Sequence, residues 1–203
     1  AAPKSEHERE DKAGAILFRD VCMMFERCLV AERTAELTLN EVKLGVFFND
    51  RTRDVVGDQS LYPFVRLLLP DIDTERGNYG IKLKQIAKIY VTMFGIEKLA
   101  DGERCLNWTD PKYADLGDGR RGCVGELAEV IEEVLSKRLA RDNHSSTTVA
   151  QLNDLLDALV RAPSADEGKR KLLQARTLGT FSPLEHKWLC RIIVKDLKTG
   201  LGY

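Results

Sequence analysis

Four basic side chains near the end of the chain are spaced so that they could bind an anion together. They are Lys187, Arg191, Lys195 and Lys198. On a helix that turns by about 100° per residue, all four lie within about 80° of one another. A solvated helix face usually mixes charges of both signs, because opposite charges one turn apart attract each other. The one-sided stripe therefore suggests an anion-binding surface, although a solvated face remains the alternative. Within it, Lys195 and Lys198 near the helix end are expected to contact the anion, whereas Lys187 and Arg191 act at longer range or pair with nearby carboxylates.

A second basic region surrounds a turn in the middle of the chain. Asn78, Tyr79 and Gly80 are typical of a turn, because Asn and Gly adopt positive φ at little cost. Three lysines follow at the start of an apolar helix pattern, Lys82, Lys84 and Lys88. Backbone N–H groups and the helix dipole favour an anion at such a place. The pattern predicts either an anion site or a buried helical hairpin with solvated lysines.

Two further segments combine positive charge with glycine or a helix start. Gly122 and Gly125 bracket a GxxG turn that follows two arginines, which is equally typical of a phosphate site and of a solvated loop. Lys169, Arg170 and Lys171 form a basic cluster in an otherwise polar stretch.

Composition limits the classes of protein that these residues can belong to. The formal net charge of -1 argues against a wholly basic nucleic-acid binder, but it allows a local basic patch. The five cysteines form no CxxC pair, so we expect reduced thiols and no bound metal. No apolar run reaches the ~18 residues of a membrane span, and the charged first residues do not resemble a signal peptide. We therefore expect an intracellular protein.

Apolar residues at helical spacing predict an all-α domain over residues 13–203, after a disordered polar tail over residues 1–12. The predicted helices cover residues 16–30, 34–48, 62–69, 81–95, 122–138, 148–162 and 182–198. Capping boxes at Thr148 with Gln151 and at Ser182 with Glu185 mark two of the helix starts. Residues 96–122 are rich in Gly, Asp and Pro and are predicted to be mostly loop.

Aromatic residues of the first two predicted helices have two interpretations. Phe18, Phe25, Phe47 and Phe48 belong to the core, or they line an exposed groove for a partner peptide.

Three segments are similar to the N-terminal DNA-binding domain of eukaryotic ATP-dependent DNA ligases, and most of all to the DNA ligase IV branch. They read YPFVRLLLPDIDTERGNYGIK, TVAQLNDLLDAL and SPLEHKWLCRIIVKDLKTGLG. The resemblance implies a compact all-α domain with two pseudo-related helical halves. Such a domain grips the minor groove of nicked or broken duplex DNA and does not read sequence. It also implies a nuclear role in sealing double-strand breaks by non-homologous end joining.

The resemblance assigns residues as well. The implied DNA contacts are Asn78, Tyr79, Gly80, Lys82, Gly122, Gly125, Lys169, Arg170, Lys171, Arg191, Lys195, Lys198 and Gly200. A peptide of an Artemis-type nuclease would dock on the first helices through Phe18, Phe25, Phe47 and Phe48.

The resemblance implies that this chain performs no catalysis alone. The lysine that takes AMP in these ligases lies in the motif K-x-D-G-x-R, whereas KLADGER from Lys98 has one residue too many. That slip moves the amine by ~3.5 Å along an extended chain. We predict no catalytic residue, no metal and no cofactor here. ATP, Mg²⁺ and the BRCT repeats that bind a scaffold protein would belong to the rest of a full-length enzyme.

We expect a monomer. The rival interpretation of the whole chain is a helical protein–protein interaction module without DNA contact.

Overall fold

The computed structural model describes residues 14–34, 60–116, 121–139, 145–162 and 166–198. Within these ranges the chain forms eight α-helices and one short 3-10 turn, with two isolated β-bridges and no strand. The helices are α1 (Phe18–Thr34), α2 (Tyr62–Leu68), α3 (Leu83–Met93), α4 (Ala100–Leu106), α5 (Leu127–Ser136), α6 (Val149–Arg161), α7 (Asp166–Thr177) and α8 (Pro183–Val194), with the 3-10 turn at Pro111–Ala114. The predicted all-α fold is confirmed. Most of the helix predicted over residues 34–48 lies outside the described residues.

The two predicted capping boxes are confirmed. At the start of α8, Ser182 Oγ accepts a hydrogen bond from the Glu185 amide at 3.3 Å, and the Glu185 carboxylate accepts one from the Ser182 amide at 2.8 Å. Thr148 and Gln151 make the same reciprocal pair at the start of α6, at 3.2 and 3.0 Å. Each box satisfies two backbone groups that a bare helix end would leave unpaired, which fixes where the helix begins.

The segment that precedes α1 also caps α6. The amide of Val149 donates to the Ile16 carbonyl at 2.8 Å, and the amide of Ala150 donates to the Gly14 carbonyl at 2.9 Å. In the other direction, Phe18 N donates to the Thr147 carbonyl at 2.8 Å. The first turn of α6 therefore finds its backbone partners in a segment more than a hundred residues away.

Helix α8 lies at the centre of the core. The side chain of Trp188 is fully buried, and its ring lies 4.5 Å from that of Phe25 on α1, measured between centroids. Phe18 is also fully buried and packs on Phe181, with ring centroids 5.7 Å apart. The core interpretation of Phe18 and Phe25 is confirmed, so these two rings do not line an exposed groove. Phe47 and Phe48 lie outside the described residues.

The loop prediction for residues 96–122 is wrong in part, because α4 and the 3-10 turn lie within this stretch. The helix is held by tertiary contacts: Cys105 is buried, and Arg104 forms an ion pair with Glu133 of α5 at 2.5 Å. Lys98 lies exposed just before α4, and the residues DGER belong to that helix. The misspaced lysine motif thus lies at a helix start.

Gly102 on α4 should be difficult to replace. A Cβ at this position would overlap the carbonyl oxygen of Ile96, which is backbone and cannot move aside. We expect Gly102→Ala to lower the free energy of unfolding by about 1–3 kcal/mol, as overpacking usually does. Gly168 on α7 is the matched control, because a Cβ there meets open space. Gly168→Ala should raise the free energy of unfolding by up to about 1 kcal/mol through helix propensity. Urea unfolding of both variants measures this difference, and equal stabilities would contradict the steric argument.

The five cysteines are free thiols, and Cys123 is the exposed one. Burial raises the pKa of Cys105 and of Cys190 to about 12, so these thiols stay protonated near neutral pH. Over the described residues, no group of His, Cys, Asp and Glu side chains could hold a metal ion. Nor is any described helix long and apolar enough to cross a bilayer.

Candidate nucleic-acid interface

The turn between α2 and α3 has the conformation that the sequence predicts. Gly77 and Gly80 have φ angles of 36° and 63°, which glycine adopts without steric strain. The Gly80 amide donates to Asn78 Oδ1 at 2.9 Å, so the asparagine side chain closes the turn locally. Asn78 and Gly80 are exposed, and a ligand could reach this part of the backbone.

The side chain of Tyr79 points away from that surface. Only 2% of it is exposed, and burial raises the pKa of its phenol to about 12. Tyr79 is therefore an anchor of the turn, and its ring is not available to a ligand. What the residue contributes to the surface is its backbone.

Two lysines from distant elements meet at this turn. The Lys169 ammonium of α7 donates to the Tyr79 carbonyl at 2.5 Å, and only 5% of the residue is exposed. The Lys195 ammonium, just after α8, donates to the Asp73 carbonyl at 3.3 Å and lies 5.9 Å from the centre of the Tyr79 ring. We call Tyr79, Gly80, Lys169 and Lys195 the turn cluster. Its four members are among the residues that the sequence analysis assigned to DNA.

Ion pairs between arginine and aspartate side chains support the turn cluster on its inner side. Arg66 Nε of α2 pairs with Asp73 at 2.8 Å, and Arg76 Nε pairs with Asp157 of α6 at 2.6 Å. Burial by itself would raise the pKa of Asp73, but the hydrogen bond and charge of Arg66 outweigh it and hold the pKa below its usual value. The sequence analysis missed this network, although opposite charges in RLLLPDIDTER were a signal for it.

The end of α8 differs from the prediction. The helix stops at Val194, and Lys195 and Lys198 have φ angles of 58° and 57°. The amide of Asp196 donates to the Arg191 carbonyl at 3.0 Å, and that of Lys195 to the Ile192 carbonyl at 3.1 Å. These bonds form a Schellman cap, which usually has glycine where Lys195 stands. The predicted helix to residue 198 is therefore wrong, and Lys195 and Lys198 are not on a stripe with the other two cations.

Lys187 and Arg191 are buried, so the predicted exposed stripe is wrong. Their exposed fractions are 3% and 2%. The Lys187 ammonium lies 2.8 Å from Glu26, 3.1 Å from Glu129 and 2.9 Å from Glu132. The Arg191 guanidinium lies 2.7 Å from both Glu126 and Glu129. These carboxylates of α1 and α5 neutralise both cations, so neither is free to contact DNA.

The two glycine amides of the GxxG turn already make hydrogen bonds within the protein. The amide of Gly122 donates to the Ala114 carbonyl at 2.7 Å, and the amide of Gly125 donates to the Trp108 carbonyl at 2.8 Å. A Cβ on Gly122 would collide with the Arg104 guanidinium, which gives this glycine a packing role. Carboxylates follow at once: Glu126 lies just before α5, and Glu129 and Glu133 lie on it. Because neither the amides nor the local charge favour a phosphate, we leave Gly122 and Gly125 out of the proposed DNA path.

The remaining predicted contacts lie on the surface around the turn cluster or outside the described residues. Lys82 is exposed at the start of α3. Arg170 donates to Gln174 at 3.0 Å, and exposed Lys171 pairs with Glu167 at 2.8 Å. The exposed Lys171–Glu167 pair is weak and can be exchanged for a phosphate. Gly200 lies outside the part of the chain that the structure describes.

Comparison with known proteins assigns the chain to a family. Residues 17–203 match the sequence profile of the family described as DNA ligase N terminus. The chain belongs to the DNA ligase N-terminal family. The DNA ligase 4 proteins of Gallus gallus and Homo sapiens are each 34% identical to it over 201 residues, which cover 94% of this chain and 21% of the relative. The DNA ligase 4 of Aspergillus fumigatus is 37% identical over 154 residues, 75% of this chain and 15% of that protein.

The family that the three sequence segments indicated is thus confirmed. This DNA ligase N-terminal domain spans about a fifth of the length of the two vertebrate relatives, since the match covers 21% of each. Within the domain, the turn cluster is the place where the structure brings predicted DNA contacts together from three separate parts of the chain.

Proposed function

We propose that this domain binds nicked or broken duplex DNA through its phosphate backbone, without reading sequence. The observation that carries the proposal is the turn cluster of a DNA ligase N-terminal domain. Neither Lys169 nor Lys195 has a described carboxylate within ion-pair distance, whereas Lys187 and Arg191 each have at least two. Lys195 is half-buried and can reach a phosphate, and neutralising phosphates supplies most of sequence-independent DNA affinity. The Lys169 ammonium is covered and donates to the backbone of the turn instead.

The wider role follows from the relatives named DNA ligase 4. We propose that the domain is the DNA-gripping part of an ATP-dependent ligase that joins double-strand breaks by non-homologous end joining in the nucleus. ATP and Mg²⁺ would act in the rest of that enzyme, and the scaffold protein would bind its BRCT repeats. An Artemis-type nuclease peptide on the first helices would have to use residues other than Phe18 and Phe25, because both are in the core.

Salt dependence distinguishes DNA binding from the rival protein-interaction module. We expect the wild-type domain to bind a nicked duplex in fluorescence anisotropy, with an affinity that falls steeply between 50 and about 200 mM salt. Lys195→Gly should weaken binding and reduce the slope of log affinity against log salt by about 0.9. Glycine suits the φ of 58° at this position, so the backbone should keep its conformation.

Lys137→Gln is the matched control, because it removes the same charge from an exposed residue at the end of α5. It should leave the slope within about 0.3 of the wild-type value, since no phosphate contact is lost. Absence of wild-type binding, or an affinity independent of salt, would favour the protein-interaction module. An unchanged slope in Lys195→Gly alone would remove only this lysine from the DNA path.

A further inference from the structure

We propose that Lys169 is a positioning residue, which turns the Tyr79–Gly80 peptide so that the Gly80 amide can donate to a DNA phosphate. Lys169 itself does not touch the phosphate. This inference rests on the proposed DNA binding and gives one lysine and one amide separate roles within it.

The first step is the position of the Lys169 ammonium. It is nearly completely buried, and it donates to the Tyr79 carbonyl at 2.5 Å. No described carboxylate lies within ion-pair distance of it, although burying an unpaired charge is costly. A phosphate outside the protein could not reach a group so well covered, so the direct contact that the sequence predicted is not available. The ammonium acts on the backbone that covers it.

The second step is the geometry of the peptide. A trans peptide points its C=O and its N–H in opposite directions. Because the Tyr79 carbonyl points inward to Lys169, the Gly80 N–H points away from it, toward the exposed side of the turn. Gly80 also allows the close approach, since a Cβ there would lie 3.1 Å from the Lys169 nitrogen and its φ is 63°. Lysine and glycine together therefore set the direction of one amide.

The third step is the group that this amide meets in the free protein. Gly80 N donates to Asn78 Oδ1 at 2.9 Å, and both residues are exposed. The amide oxygen of Asn78 stands where a phosphate oxygen would accept the same hydrogen bond. A side-chain oxygen at the surface can swing into water at little cost, whereas an anionic acceptor makes the stronger bond. Asn78 thus keeps the amide satisfied until DNA replaces it.

The test compares Lys169→Met with the wild type on a nicked duplex. Methionine keeps most of the apolar stem and removes the donor to Tyr79. We expect the affinity to fall by about tenfold or more, as for loss of a hydrogen bond to a charged group. The salt slope should change by less than about 0.5, because no cation leaves a phosphate. Lys195→Gly, measured beside it, shows the change in slope that loss of a direct contact gives.

The amide itself provides a second measurement. In ¹H–¹⁵N spectra, the Gly80 resonance should shift when the nicked duplex is added to the wild type, and it should shift less in Lys169→Met. Asn78→Ala removes the acceptor that the Gly80 amide has in the free protein, so the Gly80 resonance of this variant should also shift when the duplex is added.

Three results would overturn the inference while the wild type still binds DNA. The first is a Lys169→Met variant that binds the duplex with wild-type affinity. The second is a decrease in the salt slope of that variant as large as the decrease in Lys195→Gly. The third is a Gly80 resonance that does not shift when DNA is added to the wild type or to Asn78→Ala. A wild-type domain that does not bind the duplex would instead contradict the proposed function.

Discussion

Replacing Arg191 by methionine is expected to lower the free energy of unfolding by about 3 kcal/mol, the lower end of the range for breaking a buried ion pair. The guanidinium lies 2.7 Å from Glu126 and from Glu129, and its centre lies 4.6 Å above the Trp188 ring. Methionine would leave both carboxylates without this cation at the edge of the core. The two glutamates are 28% and 23% exposed, so water can partly solvate them, which is why we expect the lower end.

Urea unfolding measures this change, and Lys171→Met is its control. Lys171 pairs with Glu167 at 2.8 Å, but both side chains are about two-thirds exposed, at 67% and 68%. Loss of that exposed pair should change stability by no more than about 0.5 kcal/mol. The opposite result for Arg191→Met, with normal stability and a salt slope reduced by about 0.9, would mean that Arg191 contacts DNA as the sequence suggested.

Lowering the pH from 6.5 to about 5 should remove about 2 kcal/mol of stability through His186 alone. This ring is fully buried among Tyr90, Phe94 and Phe181, and burial lowers its pKa to about 3. Its Nδ1 lies 3.1 Å from the Tyr90 hydroxyl, and its Nε2 has no hydrogen-bond partner among the residues that the structure describes. The folded protein therefore keeps this histidine neutral, whereas the unfolded chain protonates it below pH ~6.5.

The sign of the effect follows from proton binding. Below pH ~6.5 the unfolded state binds one more proton than the folded state, so stability decreases by up to about 1.4 kcal/mol per pH unit until the folded pKa of about 3 is reached. Above pH ~7.5, where the unfolded histidine is also neutral, the contribution of His186 to stability is constant. His186→Phe keeps an aromatic ring and cannot titrate, so its stability should fall less between pH 6.5 and 5. Urea unfolding at each pH measures the stability of the wild type and of His186→Phe. If both free energies of unfolding fall equally between pH 6.5 and 5, His186 is not the titrating group.

The sequence was sufficient for properties that depend on neighbours along the chain. The starts of α6 and α8 depend on hydrogen bonds between residues three apart, so the capping boxes at Thr148 and Ser182 could be read directly. The all-α class depends on apolar spacing, and the family depends on residue identity over most of the chain. Each of these signals can be read along the chain without knowing which segments pack together.

Only the tertiary structure decided which of the cations are available to a ligand. Lys187 and Arg191 look like an exposed stripe because nothing in their own helix shows that Glu26, Glu126, Glu129 and Glu132 lie opposite them. Lys195 does not share a helix face with Lys187 and Arg191, because it adopts a positive φ that ends the helix. A sequence predicts this conformation for glycine and not for lysine. In the same way, Lys169 and Tyr79 are ninety residues apart in sequence, yet one hydrogen bond joins them. A local pattern places a charge on a helix, but the packing of other helices sets whether that charge meets solvent, a carboxylate or a carbonyl.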